Sequence, residues 1–88
     1  MRIRIKVILV PNVEKEEILG VFGNDNFNIR LFLDGELNKS IERFFRSRYL
    51  IYPYSYNIIG IFKQKNHYWI EMEIDDRAYE ILMSDVDK

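Results

Sequence analysis

Apolar and polar residues alternate in this chain almost from its first position. Ile3, Ile5, Val7 and Leu9 fall on one side, while Arg2, Arg4 and Lys6 begin the other. Side chains two apart share a face of a strand, so this spacing predicts a half-buried strand over residues 2–10. The same period returns twice. Phe27, Ile29, Leu31 and Leu33 alternate with Asn28, Arg30, Phe32 and Asp34; Tyr68, Ile70, Met72 and Ile74 alternate with Trp69, Glu71, Glu73 and Asp75. A nearly continuous apolar run precedes each, ILGVF at 18–22 and IIGIF at 58–62. Between run and alternation stand GNDN at 23–26 and KQKN at 63–66, residues suited to hairpin turns.

After each alternating run the period lengthens. Leu37, Ile41, Phe44 and Phe45 fall on one helical face, extended by Tyr49, with Lys39, Arg43 and Arg46 opposite. This predicts a helix from about Asp34 or Gly35, stopped at the latest by Pro53. A shorter helix is predicted from about Asp76 to Ser84, with Ala78, Ile81 and Leu82 inward and Asp75 or Asp76 as its cap. Asn12 could cap a helix through Glu14, Glu16 and Glu17 that closes at Gly23. The match between the two Ile-x-Gly runs favours a strand from about Glu17 instead, leaving at most a helical turn over residues 12–16.

Each of the two segments, about 17–51 and 57–84, thus reads as strand, turn, strand, helix, an internal repeat. The expected fold is α+β: one domain over residues 1–88, order β-ββα-ββα, with a mainly antiparallel sheet and two helices packed on one face. This duplicated order is similar to that of the LAGLIDADG homing endonucleases. Their acidic helix-end motif is missing here, so no site residue is transferred.

Charge refines the topology. Arg2, Arg4 and Lys6 alternate along the first strand, and Glu71, Glu73 and Asp75 along the fifth. Opposite charges facing each other across adjacent strands are favourable, so the two strands are expected to be antiparallel neighbours, with Arg2 facing Asp75, Arg4 facing Glu73 and Lys6 facing Glu71. A divalent metal on that acidic stripe would need further oxygen ligands from another element, and none is expected.

The Ile-x-Gly runs carry apolar residues on both sides, Leu19, Val21, Ile59 and Ile61 pointing one way and Ile18, Phe22, Ile58 and Phe62 the other. A sheet with helices on one face should be polar on its other face. The expected function is therefore a small non-enzymatic binding protein acting by protein–protein contact. It would be a homodimer, or an inhibitor or adaptor of a larger partner. Phe32, Trp69, Leu19, Val21, Ile59 and Ile61 are its expected interface residues on the helix-distal face. The alternative is a nucleic-acid-binding module. It would use Lys39, Arg43, Arg46 and Arg48 for phosphates, with Tyr52 and Tyr54 nearby for stacking.

Composition trims the remaining options. Without cysteine there is no disulfide frame, thiolate metal site or cysteine nucleophile, which fits a cytoplasmic setting. No apolar run approaches membrane-span length, and the N-terminal stretch lacks a small-residue cleavage site. Residues 1–70 hold 11 Lys and Arg against 7 Asp and Glu, and residues 71–88 hold 2 against 7, so no large phosphate footprint is implied. His67, the sole histidine, has no orienting partner fixed by the sequence. Ser40, Ser47, Ser55 and Ser84 stand in no activating context. No phosphate loop, dinucleotide fingerprint, zinc pattern or EF-hand occurs, and no catalytic residue, metal or cofactor is expected.

Overall fold

A computed structural model of the chain describes residues 1–9, 16–23, 25–32, 35–65 and 67–86, with Leu9 by its backbone alone. The expected strand over residues 2–10 is β1 (Arg2–Leu9). It is followed by β2 (Glu17–Phe22), β3 (Asn26–Leu31) and α1 (Leu37–Tyr49). A 3-10 turn at Pro53–Ser55 then leads into β4 (Tyr56–Gln64), β5 (His67–Ile74) and α2 (Asp76–Val86). The class is α+β, one domain with a five-stranded, mainly antiparallel sheet of order β2-β3-β1-β5-β4. β1 is parallel to β3 and antiparallel to β5, and both hairpins, β2–β3 and β4–β5, are antiparallel. β3 and β5 run in opposite directions, so β1 between them is parallel to one and antiparallel to the other.

Directly opposed residues share a face of the sheet, so the registers read as rows. Ile61, Ile70, Ile5, Phe27 and Val21 form one row across all five strands. Lys63, Tyr68, Val7, Ile29 and Ile18 form the next. Both rows lie on the helix side, where Ile3, Ile5, Val7, Phe27, Ile29, Leu31, Ile70, Met72 and Ile74 are buried with Ile41, Phe44, Phe45, Ile51, Ala78 and Leu82. Each large apolar side chain so buried contributes roughly 1.5–3 kcal/mol. The helices reach across the sheet. Phe45 of α1 meets Tyr56 at the start of β4, centroids 5.2 Å apart, and Tyr79 of α2 meets Phe27 of β3 at 6.2 Å, both edge to face.

Two expectations about registry are corrected. β1 and β5 are antiparallel neighbours, but Arg2 lies opposite Glu73 and Arg4 opposite Glu71, with Lys6 opposite Trp69. The slip is two residues, so every side chain keeps its face. Asp75 leaves the ladder because its Oδ1 accepts the Ala78 N–H at 2.8 Å and caps α2.

The second correction concerns β2 and β4. Each is an edge strand, and each carries a bulge at the same point of its Ile-x-Gly run. Ile18 opposes Ile29 and Gly20 opposes Asn28, leaving Leu19 without a partner. Ile58 opposes Met72 and Gly60 opposes Glu71, leaving Ile59 likewise. An extra residue reverses the alternation beyond it. Val21 and Ile61 therefore lie on the helix side with Ile18 and Ile58, and Phe22 and Phe62 on the far side. Bulges also spoil an edge as a template for unwanted strand pairing.

The helices begin and end on local signals. Gly35 takes φ +86° just before α1, a conformation disfavoured for side chains with a Cβ. α1 stops at Tyr49, four residues before the expected limit at Pro53. Leu50 turns left-handed at φ 56°, and the N–H groups of Leu50 and Ile51 return to the carbonyls of Arg46 and Phe45. β2 begins at Glu17, which excludes the helix closing at Gly23. The predicted turn over residues 12–16 lies outside the described residues except at Glu16, as do Asn24, Leu33, Asp34 and Asn66.

Candidate functional site

The face away from the helices is built from the alternate rows. One runs Phe62, Trp69, Lys6, Asn28 and Gly20, the next Gly60, Glu71, Arg4, Asn26 and Phe22. Beyond them lie Gln64, His67, Ile8, Arg30 and Glu17 on one side and Asn57, Glu73 and Arg2 on the other. The centre of the face is charged and amide-rich, and the apolar groups collect toward its edges. Phe22 is 63% and Phe62 56% exposed.

Around Trp69 the groups converge. Its Nε1–H donates to Gln64 Oε1 at 3.0 Å, its ring meets His67 edge to face at 6.0 Å, and Lys6 Nζ lies 5.9 Å from its centroid. Phe62 folds back over its own strand. A Cβ added to Gly60 would come within 3.1 Å of the Phe62 ring. Arg4, Phe62, Gln64, Trp69, Ile70 and Glu71 line an open depression of about 470 Å³. Depressions with aromatic walls and a few charged groups are common binding sites.

The charges divide unevenly. Arg2 reaches Glu73 at 3.3 Å and Glu71 at 3.6 Å, and Arg30 reaches Glu17 at 3.2 Å. Arg4 and Lys6, beside the depression, make no ion pair with any described carboxylate. The two-residue slip of register places Trp69 opposite Lys6, and Glu71, although opposite Arg4 in the ladder, lies 3.6 Å from Arg2.

Of the six expected interface residues, Trp69 lies half-buried at this depression. Phe32 is exposed on the same side of the sheet, but β1 and four residues of strand, about 13 Å, separate it from the Trp69 row. The structure does not bring the two together. Leu19 and Ile59 are the exposed bulge residues of the two edges. Val21 packs against the core, and Ile61, though 43% exposed, is on the helix side. Phe62 and Arg4 are not among the site residues expected from the sequence. Gly60 inside an apolar run was the available sign, since a strand glycine often marks a bulge that would turn Phe62 outward.

The basic surface of α1 is reorganised too. Arg43 Nη1 and Nη2 each lie 2.7 Å from the Glu16 carboxylate, and Nη2 also donates to the Phe32 carbonyl at 3.1 Å. The Arg43 bonds hold the Glu16 carboxyl below its ordinary range, against the opposing effect of burial, with help from the Phe32 N–H. Arg43 is thus structural. Lys39, Arg46 and Arg48 are exposed, Arg48 lying 5.9 Å from the Tyr49 ring centroid. Tyr52 and Tyr54 stack with centroids 5.8 Å apart, Tyr54 being 81% exposed.

Among the described residues, no group of three or more His, Asp or Glu side chains could hold a metal ion. Nor is any helix among them long and apolar enough to cross a membrane. Comparison with protein-family models, curated proteins and solved structures found no match to this chain.

Proposed function

We propose that this chain is a small non-enzymatic binding module that docks on protein through the helix-distal sheet face around Phe62 and Trp69. One observation carries the reading. On the face away from α1 and α2, Phe62 stands 56% exposed beside Trp69 over an open depression lined by Arg4, which makes no ion pair with any described carboxylate. Trp, other aromatics and Arg commonly supply most of the energy of protein contacts. Burying an exposed Phe in a partner also recovers apolar area that folding alone leaves in water.

The test compares wild type with Phe62→Ala/Trp69→Ala in sedimentation equilibrium and in capture from an extract of the source cells. The reading requires self-association or a captured protein that the double variant loses while its melting curve keeps a cooperative, native-like transition. Identical behaviour of the two proteins would reject the face.

The nucleic-acid alternative rests on Lys39, Arg46 and Arg48 with the stacked Tyr52–Tyr54 pair, and it ranks second because Arg43 is engaged with Glu16. A salt-dependent mobility shift with single-stranded DNA, lost in Arg46→Glu and Tyr54→Ala, would place it first.

A further inference from the structure

We propose that the occupant of the Phe62–Trp69 depression is a polypeptide segment carrying a carboxylate next to a large apolar side chain. This rests on the protein-contact reading above and adds the chemistry of the partner. The argument is charge complementarity. Arg2 and Arg30 have carboxylates within 3.6 Å, while Arg4 and Lys6 have none among the described residues. Arg4 lines the depression with Phe62 and Trp69, and Lys6 lies over Trp69, so the unneutralised cations and the apolar walls belong to one place. A guanidinium can take a carboxylate through two parallel hydrogen bonds, and the rings beside it can receive an aliphatic or aromatic group.

The same face disfavours a nucleic-acid strand. Among the described residues its cations Arg2, Arg4, Lys6 and Arg30 share it with Glu17, Glu71 and Glu73. A polyanion crossing the rows would set phosphates against Glu71 and Glu73. A single carboxylate at Arg4 meets Glu71, the described acid opposite it in the ladder, which Arg2 already partly neutralises at 3.6 Å.

The experiment is selection from a displayed library of random dodecapeptides on three immobilised proteins: wild type, Trp69→Ala and Arg4→Glu/Lys6→Glu. Arg4→Gln/Lys6→Gln replaces the last if charge reversal unfolds it, and each variant's fold is checked by circular dichroism. Wild type should enrich Asp or Glu beside Leu, Ile, Phe or Trp. Trp69→Ala should lose that enrichment, and charge reversal should replace the acids by Lys or Arg. A selected peptide, remade in solution, should bind the charge-altered protein about tenfold or more weaker.

An apolar consensus without acids, or an acidic one that survives charge reversal, overturns the inference but leaves the face standing provided Trp69→Ala abolishes it. A consensus indifferent to Trp69→Ala overturns both. No consensus overturns the inference, and the face is then judged by sedimentation and capture alone. A parallel titration with a dodecamer of deoxythymidine uses the emission of Trp69, the single tryptophan. Saturable quenching that Trp69's neighbours Arg4 and Lys6 control would assign the site to nucleic acid instead.

Discussion

Arg43 holds Glu16 through two hydrogen bonds of 2.7 Å, and the same carboxylate accepts the Phe32 N–H at 2.9 Å. α1, the end of β3 and the residue leading into β2 are thereby joined at one point. Both partners are partly exposed, so solvent screening holds the contribution to about 1 kcal/mol. Arg43→Ala and Glu16→Gln should each lower stability by that order in urea denaturation. The depressed Glu16 pKa makes the contribution full above the ordinary carboxylate range and lost as pH falls through the folded value. The gap between wild type and Glu16→Gln should therefore close on acidification. A gap independent of pH would disprove the pairing.

The two strand glycines should respond differently to alanine. A Cβ at Gly60 meets the Phe62 ring at 3.1–3.2 Å, whereas one at Gly20 meets nothing within 4 Å. Gly60→Ala must swing an exposed ring, which changes the surroundings of Trp69 at little cost in stability. Trp69 emission should shift in Gly60→Ala and remain unchanged in Gly20→Ala. Gly20→Ala should be neutral or stabilise by a few tenths of a kcal/mol through the unfolded chain.

Asp75 and Glu73 have separate roles despite their spacing. Asp75→Ala removes the α2 cap and should cost about 1 kcal/mol in thermal or urea unfolding. Glu73→Gln loosens only the exposed contact with Arg2 and should change stability by less than about 0.5 kcal/mol. Equal costs would mean that Asp75 belongs to the charge ladder after all.

Alkaline pH should weaken the fold through two tyrosines. Burial pushes the Tyr56 hydroxyl from its ordinary 10.0 to about 12. Burial, with a 2.7 Å hydrogen bond to Asp85, raises Tyr49 further still. The folded state therefore keeps these protons while the unfolded chain releases them. Their contribution is intact below pH 10 and declines as pH rises from about 10 toward 12. Urea midpoints measured at about pH 9 and about pH 11 should drop less in Tyr56→Phe than in wild type. Tyr49→Phe, which keeps the ring against Phe44 at 5.5 Å, should cost about 1 kcal/mol near neutrality for the bond to Asp85.

Period and charge made most of the architecture readable from sequence. Ile3, Ile5 and Val7 announced β1, and Leu37, Ile41 and Phe44 announced α1. The opposed stripes of Arg2 and Arg4 against Glu71 and Glu73 gave the β1–β5 neighbourhood. What escaped were quantities that period two cannot fix. A slip of two residues leaves every face unchanged, so alternation cannot detect it, and Asp75 serves a ladder or a cap equally well on paper. Bulges are hidden for a related reason, because ILGVF and IIGIF are apolar at every non-glycine position. A reversal of alternation at Leu19 or Ile59 therefore leaves no break in the pattern. The depression was missed because Phe62 was placed on the wrong side of that reversal. Arg43 was taken for a solvent-facing cation because Glu16 is distant in sequence.

The position of β1 between β3 and β5 means that the two hairpins do not touch as neighbours; both lean on a single strand that belongs to neither. Severing the chain between Ile51 and Tyr56 would leave one fragment holding the shared strand and the other with β5 deprived of its inner partner. The orphaned fragment should regain structure only when mixed with the piece that contains residues 2–9, so complementation of the two fragments would expose how unequally the halves own their common sheet.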